Sequence, residues 1–377
     1  MTDNSHAKIG QRIKKSKANL LGWKYVDIIP PDMPCIITLS GSNTDNSKKA
    51  NGFAKMIIEM LKNKRIAVFS AEYNTTGRKS VTDRLALLNH YNQGDENSPL
   101  LRYREEDYGY IPQYIKEIYE KTIAPRLRDE NGNKIPIAKA AQRLNMLSFV
   151  NHCQGSTVAF QLERLMQEDM TQLGYSNKVQ EYLLKQIHNV DVAPVIPIGI
   201  TKTTTIKFGS LSDEKATSVH TPKIEYILRR KREHERFMEG ISGNETERRA
   251  GNRPFMMNFS VFRPTSNETI FAVNNIYPVE IQKEEDMEGI EHVFASYSDK
   301  DDDDRTKQGD QLSQALREVV NIMAEHSLKN EKELVELPDI FKMPRMKQII
   351  ERAQNNRYEF MSKETKILRS RRNRNSR

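Results

Sequence analysis

The chain has 377 residues, with 59 Lys+Arg against 51 Asp+Glu, two cysteines, 37% hydrophobic and 29% charged residues. That length suits one large α/β domain with insertions, or two modest domains, with a lean core under a heavily charged surface. No segment reaches the ~18–20 apolar residues of a membrane span, the polar stretch Lys14, Lys15, Lys17 leads into no apolar signal region, and two cysteines exclude a disulfide scaffold or a multi-cysteine zinc site. A reducing, cytoplasmic setting is the simplest expectation.

Residues 1–34 read as a polar lead-in ending at Pro30, Pro31 and Pro34. Cys35-Ile-Ile-Thr-Leu39 then predicts a short buried strand running into the loop Ser40-Gly-Ser-Asn-Thr44. Phe53, Met56, Ile57, Met60 and Leu61 recur at helical spacing and make one apolar face. Arg65-Ile-Ala-Val-Phe69 is a second strand. Strand, helix and strand within so few residues form a βαβ unit, so the sheet is expected to be parallel with a right-handed crossover. Residues 75–145 are polar and largely helical in character. A third strand, Met146–Val150, follows the helix-forming stretch Ala138–Leu144.

After the tight link Asn151-His-Cys-Gln-Gly155, Val158, Ala159, Leu162, Leu165 and Met166 outline another helical face. Val190–Ile200 is a fourth apolar run, broken by Pro194 and Pro197. Residues 201–252, a Thr run followed by a charged stretch with Arg229-Arg-Lys-Arg232, read as a helical insertion or cap. Strand character returns at Phe255–Phe262 and Thr269–Val273, and Leu312, Ala315, Leu316, Val319 and Met323 give an amphipathic helix. The expected organisation is therefore a lead-in over 1–34, an α/β domain over 35–330 with its insertion at 201–252, and a helical, basic tail over 331–377. The expected sheet is central, mostly parallel and flanked by helices.

The strongest chemical signal is Val150-Asn-His-Cys-Gln-Gly-Ser156 between a strand and a helix. A turn of the form small-x-nucleophile-x-small lifts its central side chain above the edge of the sheet, and the centre here is Cys153. The following helix turns its positive end toward that side chain, which favours an anion there. Asn151, at the first small position, is bulkier than glycine.

Around these residues the chain resembles the α/β-hydrolase superfamily. Asn151-His-Cys-Gln-Gly-Ser156 looks like its Gly-His-Ser-Gln-Gly-Gly elbow with cysteine in place of serine, as in members of the dienelactone-hydrolase type. The resemblance implies a hydrolase or acyltransferase acting on an ester, thioester or related acyl bond of a small-molecule or lipid substrate. It implies Cys153 as nucleophile, with the backbone N–H of Gln154 and of Gly41 or Ser42 holding the oxyanion. His292 falls where the family places its base, and Glu268 is the first choice for the acid, ahead of Asp286 and Asp191. A thiol depends less on that third member than a hydroxyl does.

Other residues read more simply. Cys35 lies in an apolar run and belongs to the core, and His152 and His188 suit local packing. No metal motif and no phosphate loop is present, so neither a metal nor a cofactor is expected. The run Asp301–Asp304 lacks the spacing of a calcium loop. Two other functions remain open. One is a catalytically inactive protein that keeps the scaffold for binding. The other uses the tail, where Arg369, Arg371, Arg372, Arg374 and Arg377 could meet nucleic acid or another anionic partner.

Overall fold

The computed structural model describes residues 7–14, 21–41, 47–62, 65–73, 111–194, 196, 201–210, 256–262, 266–276, 309–328, 344, 347 and 348. Its elements begin with β1 (Lys8–Lys14), β2 (Leu21–Val26), β3 (Cys35–Leu39), α1 (Ser47–Met60) and β4 (Ala67–Glu72). Next come α2 (Gln113–Thr122), α3 (Ala124–Leu127), α4 (Ile137–Asn145), β5 (Leu147–His152), α5 (Gly155–Gln172) and α6 (Asn177–Leu184). The last are β6 (His188–Val192), β7 (Thr204–Ser210), β8 (Met256–Phe262), β9 (Glu268–Ile276) and α7 (Gly309–Ser327).

The strands form one nine-stranded sheet in the order β2-β1-β4-β3-β5-β6-β7-β9-β8. From β4 to β9 every neighbouring pair is parallel. Antiparallel pairs occur at the two ends, β1 with β2 and β4, and β8 with β9. The fold is thus α/β, with a mixed, mostly parallel sheet and helices on both faces. β3 is buried along its whole length, which explains the unbroken run Cys-Ile-Ile-Thr-Leu: a parallel strand covered on both sides has no polar face to show.

Two cores lie on opposite faces. On one, Phe53, Ile57, Met60 and Leu61, from α1 and the residue after it, meet Val150, Val190, Val192, Ile206 and Phe208 of the sheet, with Leu316, Val319 and Met323 of α7. On the other, Ile37, Leu39, Leu147 and Phe149 meet Val158, Leu162 and Met166 of α5 and Ile115 and Ile118 of α2. Each such aliphatic side chain contributes about 1.5–3 kcal/mol on burial, far more than the intrinsic preference of its residue type for helix or strand. Cys35 is core, as expected. It sits beside the buried guanidinium of Arg126, which donates to the carbonyls of Thr122, Pro31, Arg143 and Met33 and reaches Cys35 Sγ at 3.4 Å. Burial pushes the Cys35 thiol up, against the pull of Arg126.

Two segments differ from the sequence expectation. The lead-in over 1–34 supplies β1 and β2, and Ile9 is fully buried. Charged residues alternating with a few apolar ones concealed an edge hairpin there. The insertion expected from residue 201 begins instead with β7, an interior strand, because Thr, Ile and Phe suit a pleated surface whatever their polarity. The rest of that insertion (211–252), Ser42, Asp286, His292, Asp301–Asp304 and the arginine tail lie outside the described residues.

Candidate functional site

The chain leaves β3 through α1 to pair β4 on one side of it, and leaves β5 through α5 and α6 to pair β6 on the other side. The carboxyl ends of β3 and β5 are therefore a switch point, where the two connections diverge, the kind of place at which open α/β sheets form a crevice. Ligands of open α/β sheets bind in such crevices. Cys153 follows directly on β5 at this edge, and Gly41 lies two residues past the end of β3.

Cys153 has φ +52°, a left-handed conformation that non-glycine residues rarely adopt, and its neighbour at the end of β6, Ala193, has φ +48°. Hydrogen bonds hold both residues in place. Cys153 N–H donates to Val192 O at 3.1 Å, and Ala193 N–H donates to Phe208 O at 2.8 Å. From Cys153 the backbone turns at once into α5. Ser156 N–H and Oγ donate to Cys153 O at 3.1 and 2.7 Å. Strain of this kind persists only where the surroundings over-determine it.

The approach of helix to strand is close enough to require glycine. A Cβ on Gly155 would lie 2.0 Å from Leu39 O, inside any permitted contact. A Cβ on Gly41 would lie 2.8 Å from Cys153 Cβ and 3.3 Å from His152 Nδ1. The loop after β3 thus presses its backbone against the elbow. Gln154, in helical conformation (φ −62°, ψ −18°), opens α5, whose first N–H groups have no partner within the helix. Cys153 itself is 7% exposed.

Below the elbow the two faces of the sheet differ. Toward α1 and α7 the side chains are Val150, Val190, Val192, Ile206 and Phe208. Toward α5, Asn151, Asp191 and Lys207 lie side by side across β5, β6 and β7, and two residues lower a second row holds Asn189, Thr205 and Glu268. All six are buried. Asn151 Nδ2 donates to Asp191 Oδ1 at 2.7 Å. Lys207 Nζ, 1% exposed, donates to Glu268 Oε1 at 3.1 Å, and that oxygen also accepts from Thr201 N–H and Oγ1. Asn189 Nδ2 donates to Thr203 Oγ1 at 2.8 Å. Burial pushes the Asp191 carboxyl up to about 6, against the opposing pull of Lys207.

The structure brings Cys153, Gln154 and Gly41 together at one edge. It does not bring Glu268 to them. Glu268 opens β9 opposite Thr205, on the level of Phe149, four residues short of Cys153. At about 3.3 Å per residue it lies roughly 13 Å down the strands, where it closes the ion pair with Lys207. Asp191 stands only two residues below Cys153. The half-buried His152 ring packs near Phe53 of α1, with centroids 6.1 Å apart. His188 lies at the opposite end of β6, edge-on to His326 at 4.9 Å. Sequence reasoning gave Asn151 and Lys207 no part in the candidate site. The signal for Lys207 was the polar alternation in Thr204-Thr-Ile-Lys-Phe208, which looks like a solvent-facing side and is a buried one; Asn151, closing the run Leu147-Ser-Phe-Val-Asn151, carried none.

Among the described residues no group of three or more His, Cys, Asp or Glu could hold a metal ion, and no helix is long and apolar enough to cross a membrane. No protein-family model matches the chain, and no curated protein matches its sequence.

Proposed function

We propose that this chain is a cysteine-dependent hydrolase or acyltransferase of the α/β-hydrolase kind, acting on an ester, thioester or related acyl bond of a small-molecule or lipid substrate. The observation that carries this reading is the left-handed Cys153 between a central parallel strand and a long helix, with Gly155 against β3 and Gly41 against the cysteine itself. This is the geometry a nucleophile elbow requires. In the proposed reaction Cys153 Sγ attacks the acyl carbon and its proton passes to His292. The oxyanion is held by backbone N–H groups near Gly41, Ser42 and Gln154. The leaving group departs with a proton returned from His292, and water or a second acceptor releases the acyl group from sulfur.

The test is a panel of activated esters and thioesters. Turnover that disappears in Cys153→Ala, with the acyl group found on the Cys153 peptide of the native protein, is the expected result. His292→Ala should lose ~10²–10⁴-fold, the usual contribution of a positioned base. Undiminished turnover in Cys153→Ala overturns the reading. A second reading, a binding protein on the same scaffold, draws on the burial of Cys153. It predicts saturable binding of acyl compounds with no covalent acyl–cysteine.

A further inference from the structure

The row beneath the elbow contains one acceptor that the structure leaves idle. Asn151 Nδ2 is committed to Asp191 Oδ1 at 2.7 Å and lies 3.4 Å from Asn189 Oδ1. Asn151 Oδ1, equally buried, accepts no hydrogen bond. A buried polar atom without a partner is costly. A carboxylate cannot relieve it, because it only accepts, whereas a carboxylic acid has a hydrogen to donate. An acid and a primary amide side by side can close two hydrogen bonds between them.

We propose that Asp191 is a positioning residue for the elbow: a protonatable brace that holds Asn151, and through it Cys153 two residues on, by an acid–amide pair complete only when Asp191 carries a proton. The inference rests on the proposed role of Cys153, since a brace matters only to a side chain that is presented for chemistry. Burial and the neighbouring groups set the balance between the two protonation states of Asp191. Asp191 is 1% exposed and lies directly opposite Asn151 on one side and Lys207 on the other. Among the described residues the groups that act on it are Lys207 of β7 and the Asn151 amide N–H, which favour the carboxylate, and Glu268 of β9, which opposes it. Glu163, from the covering helix α5, is taken up by the N–H groups of Lys202 and Thr203 and the Thr203 hydroxyl. Lys207 is itself already matched with Glu268, so its charge is shared. Burial then favours the neutral acid, and the Asp191 carboxyl lies at about 6.

Two states follow. Below pH 6 Asp191 donates to Asn151 Oδ1 and accepts from Nδ2, and both ends of the Asn151 amide are fixed. Above it the carboxylate turns to Lys207, and Asn151 is held through Nδ2 alone. Asp191→Asn retains the shape and supplies a permanent donor and acceptor, so it imitates the protonated state at every pH. The experiment follows the rate of Cys153 alkylation by iodoacetamide from pH 5 to 8, read on the Cys153 peptide so that Cys35 does not contribute.

The native profile should carry, on top of thiol ionisation, a second inflection near pH 6 of about fivefold, the factor one net hydrogen bond supplies. Asp191→Asn should lose that inflection. Superimposable profiles overturn the proposal, and so does an absence of measurable Cys153 labelling in both proteins, since a brace without a presented thiol positions nothing. Should Asp191→Asn fail to fold, the carboxyl carbon signal of Asp191 in aspartate-labelled native protein decides. A midpoint near pH 6 supports the brace and one near pH 4 overturns it. Labelling that depends on Asp191, in a protein that turns over no acyl substrate, would sink the enzymatic reading and leave the brace standing.

Discussion

Gly155→Ala tests the elbow at the point where its geometry is tightest. The new methyl carbon would lie 2.0 Å from Leu39 O, 2.7 Å from the Leu39 carbonyl carbon and 3.2 Å from Leu39 Cβ. Carbon and oxygen approach to about 3.3 Å at closest in favourable C–H···O contacts, so α5 must withdraw by roughly 1.3 Å or β3 must give way. β3 is paired on both sides, to β4 and β5, so the helix moves. That movement pulls Val158, Leu162 and Met166 away from the apolar face they share with Leu39, Leu147 and Phe149. Overpacking of a tight interior costs about 1–3 kcal/mol, and a clash with strand backbone belongs at the top of that range. Three kcal/mol lowers the melting temperature of a large domain by roughly 6–12 °C. The assay is thermal unfolding by circular dichroism, together with the alkylation rate of Cys153, which should change as the turn opens. Gly52→Ala is the comparison. Its Cβ meets nothing within 4 Å and it lies within α1, so it should stabilise by up to ~1 kcal/mol through helix preference alone. A Gly155→Ala protein that melts within about 2 °C of the native one and keeps its thiol reactivity would refute the account of the elbow.

Other outcomes follow from the same geometry. Gly41→Ala places a methyl carbon 2.8 Å from Cys153 Cβ. It should reduce the proposed acyl turnover by at least about tenfold with little change in melting temperature, because displacing the loop proposed to hold the oxyanion costs rate before it costs stability. Lys207→Met strands the buried Glu268 carboxylate and should cost about 3–5 kcal/mol in urea unfolding, whereas Lys207→Met combined with Glu268→Gln should recover a large part of it. Equal losses in the single and double variants would show that the ion pair is not the cause. Acid stability should depend on His188, which burial, and secondarily His326, push down to about 3. Stability is full above the unfolded value of about 6.5 and falls as pH drops toward 3, by on the order of 4 kcal/mol, because only the unfolded chain takes up the proton. Asp191 acts in the opposite sense. Its raised value gives a benefit at low pH that is lost as pH rises through about 6. His188→Phe should therefore flatten the acid limb of a stability–pH curve, and an unchanged limb would exclude His188 as its source.

What was legible in the sequence was local. Cys35–Leu39 reads as a buried strand because every residue in it is buried, and the face Phe53–Ile57–Met60–Leu61 reads as a helix because its period is helical. Asn151–Gly155 reads as a tight link, because a strand that enters a helix at once needs small groups where the backbones meet; the structure narrows the turn to Cys153 and Gln154, between β5 and α5, and Gly155 against Leu39 is that meeting. What the tertiary structure alone decided was pairing and burial. Lys8–Lys14 and Leu21–Val26 became strands because β4 offered an open edge for β1, a fact stored about sixty residues away. Thr204–Ser210 became an interior strand because β6 and β9 flank it. Glu268 and Asp191 are both carboxylates on strands and both buried, and no spacing tells which stands near Cys153. Strand register does, setting Asp191 two residues below the cysteine and Glu268 four. Alternation of polar and apolar residues specifies that a strand has two different faces. Whether the polar face meets water or a helix depends on what the rest of the chain lays over it, and here α5 packs over β5 and β6, so that Asn151 and Asp191 are buried under the elbow.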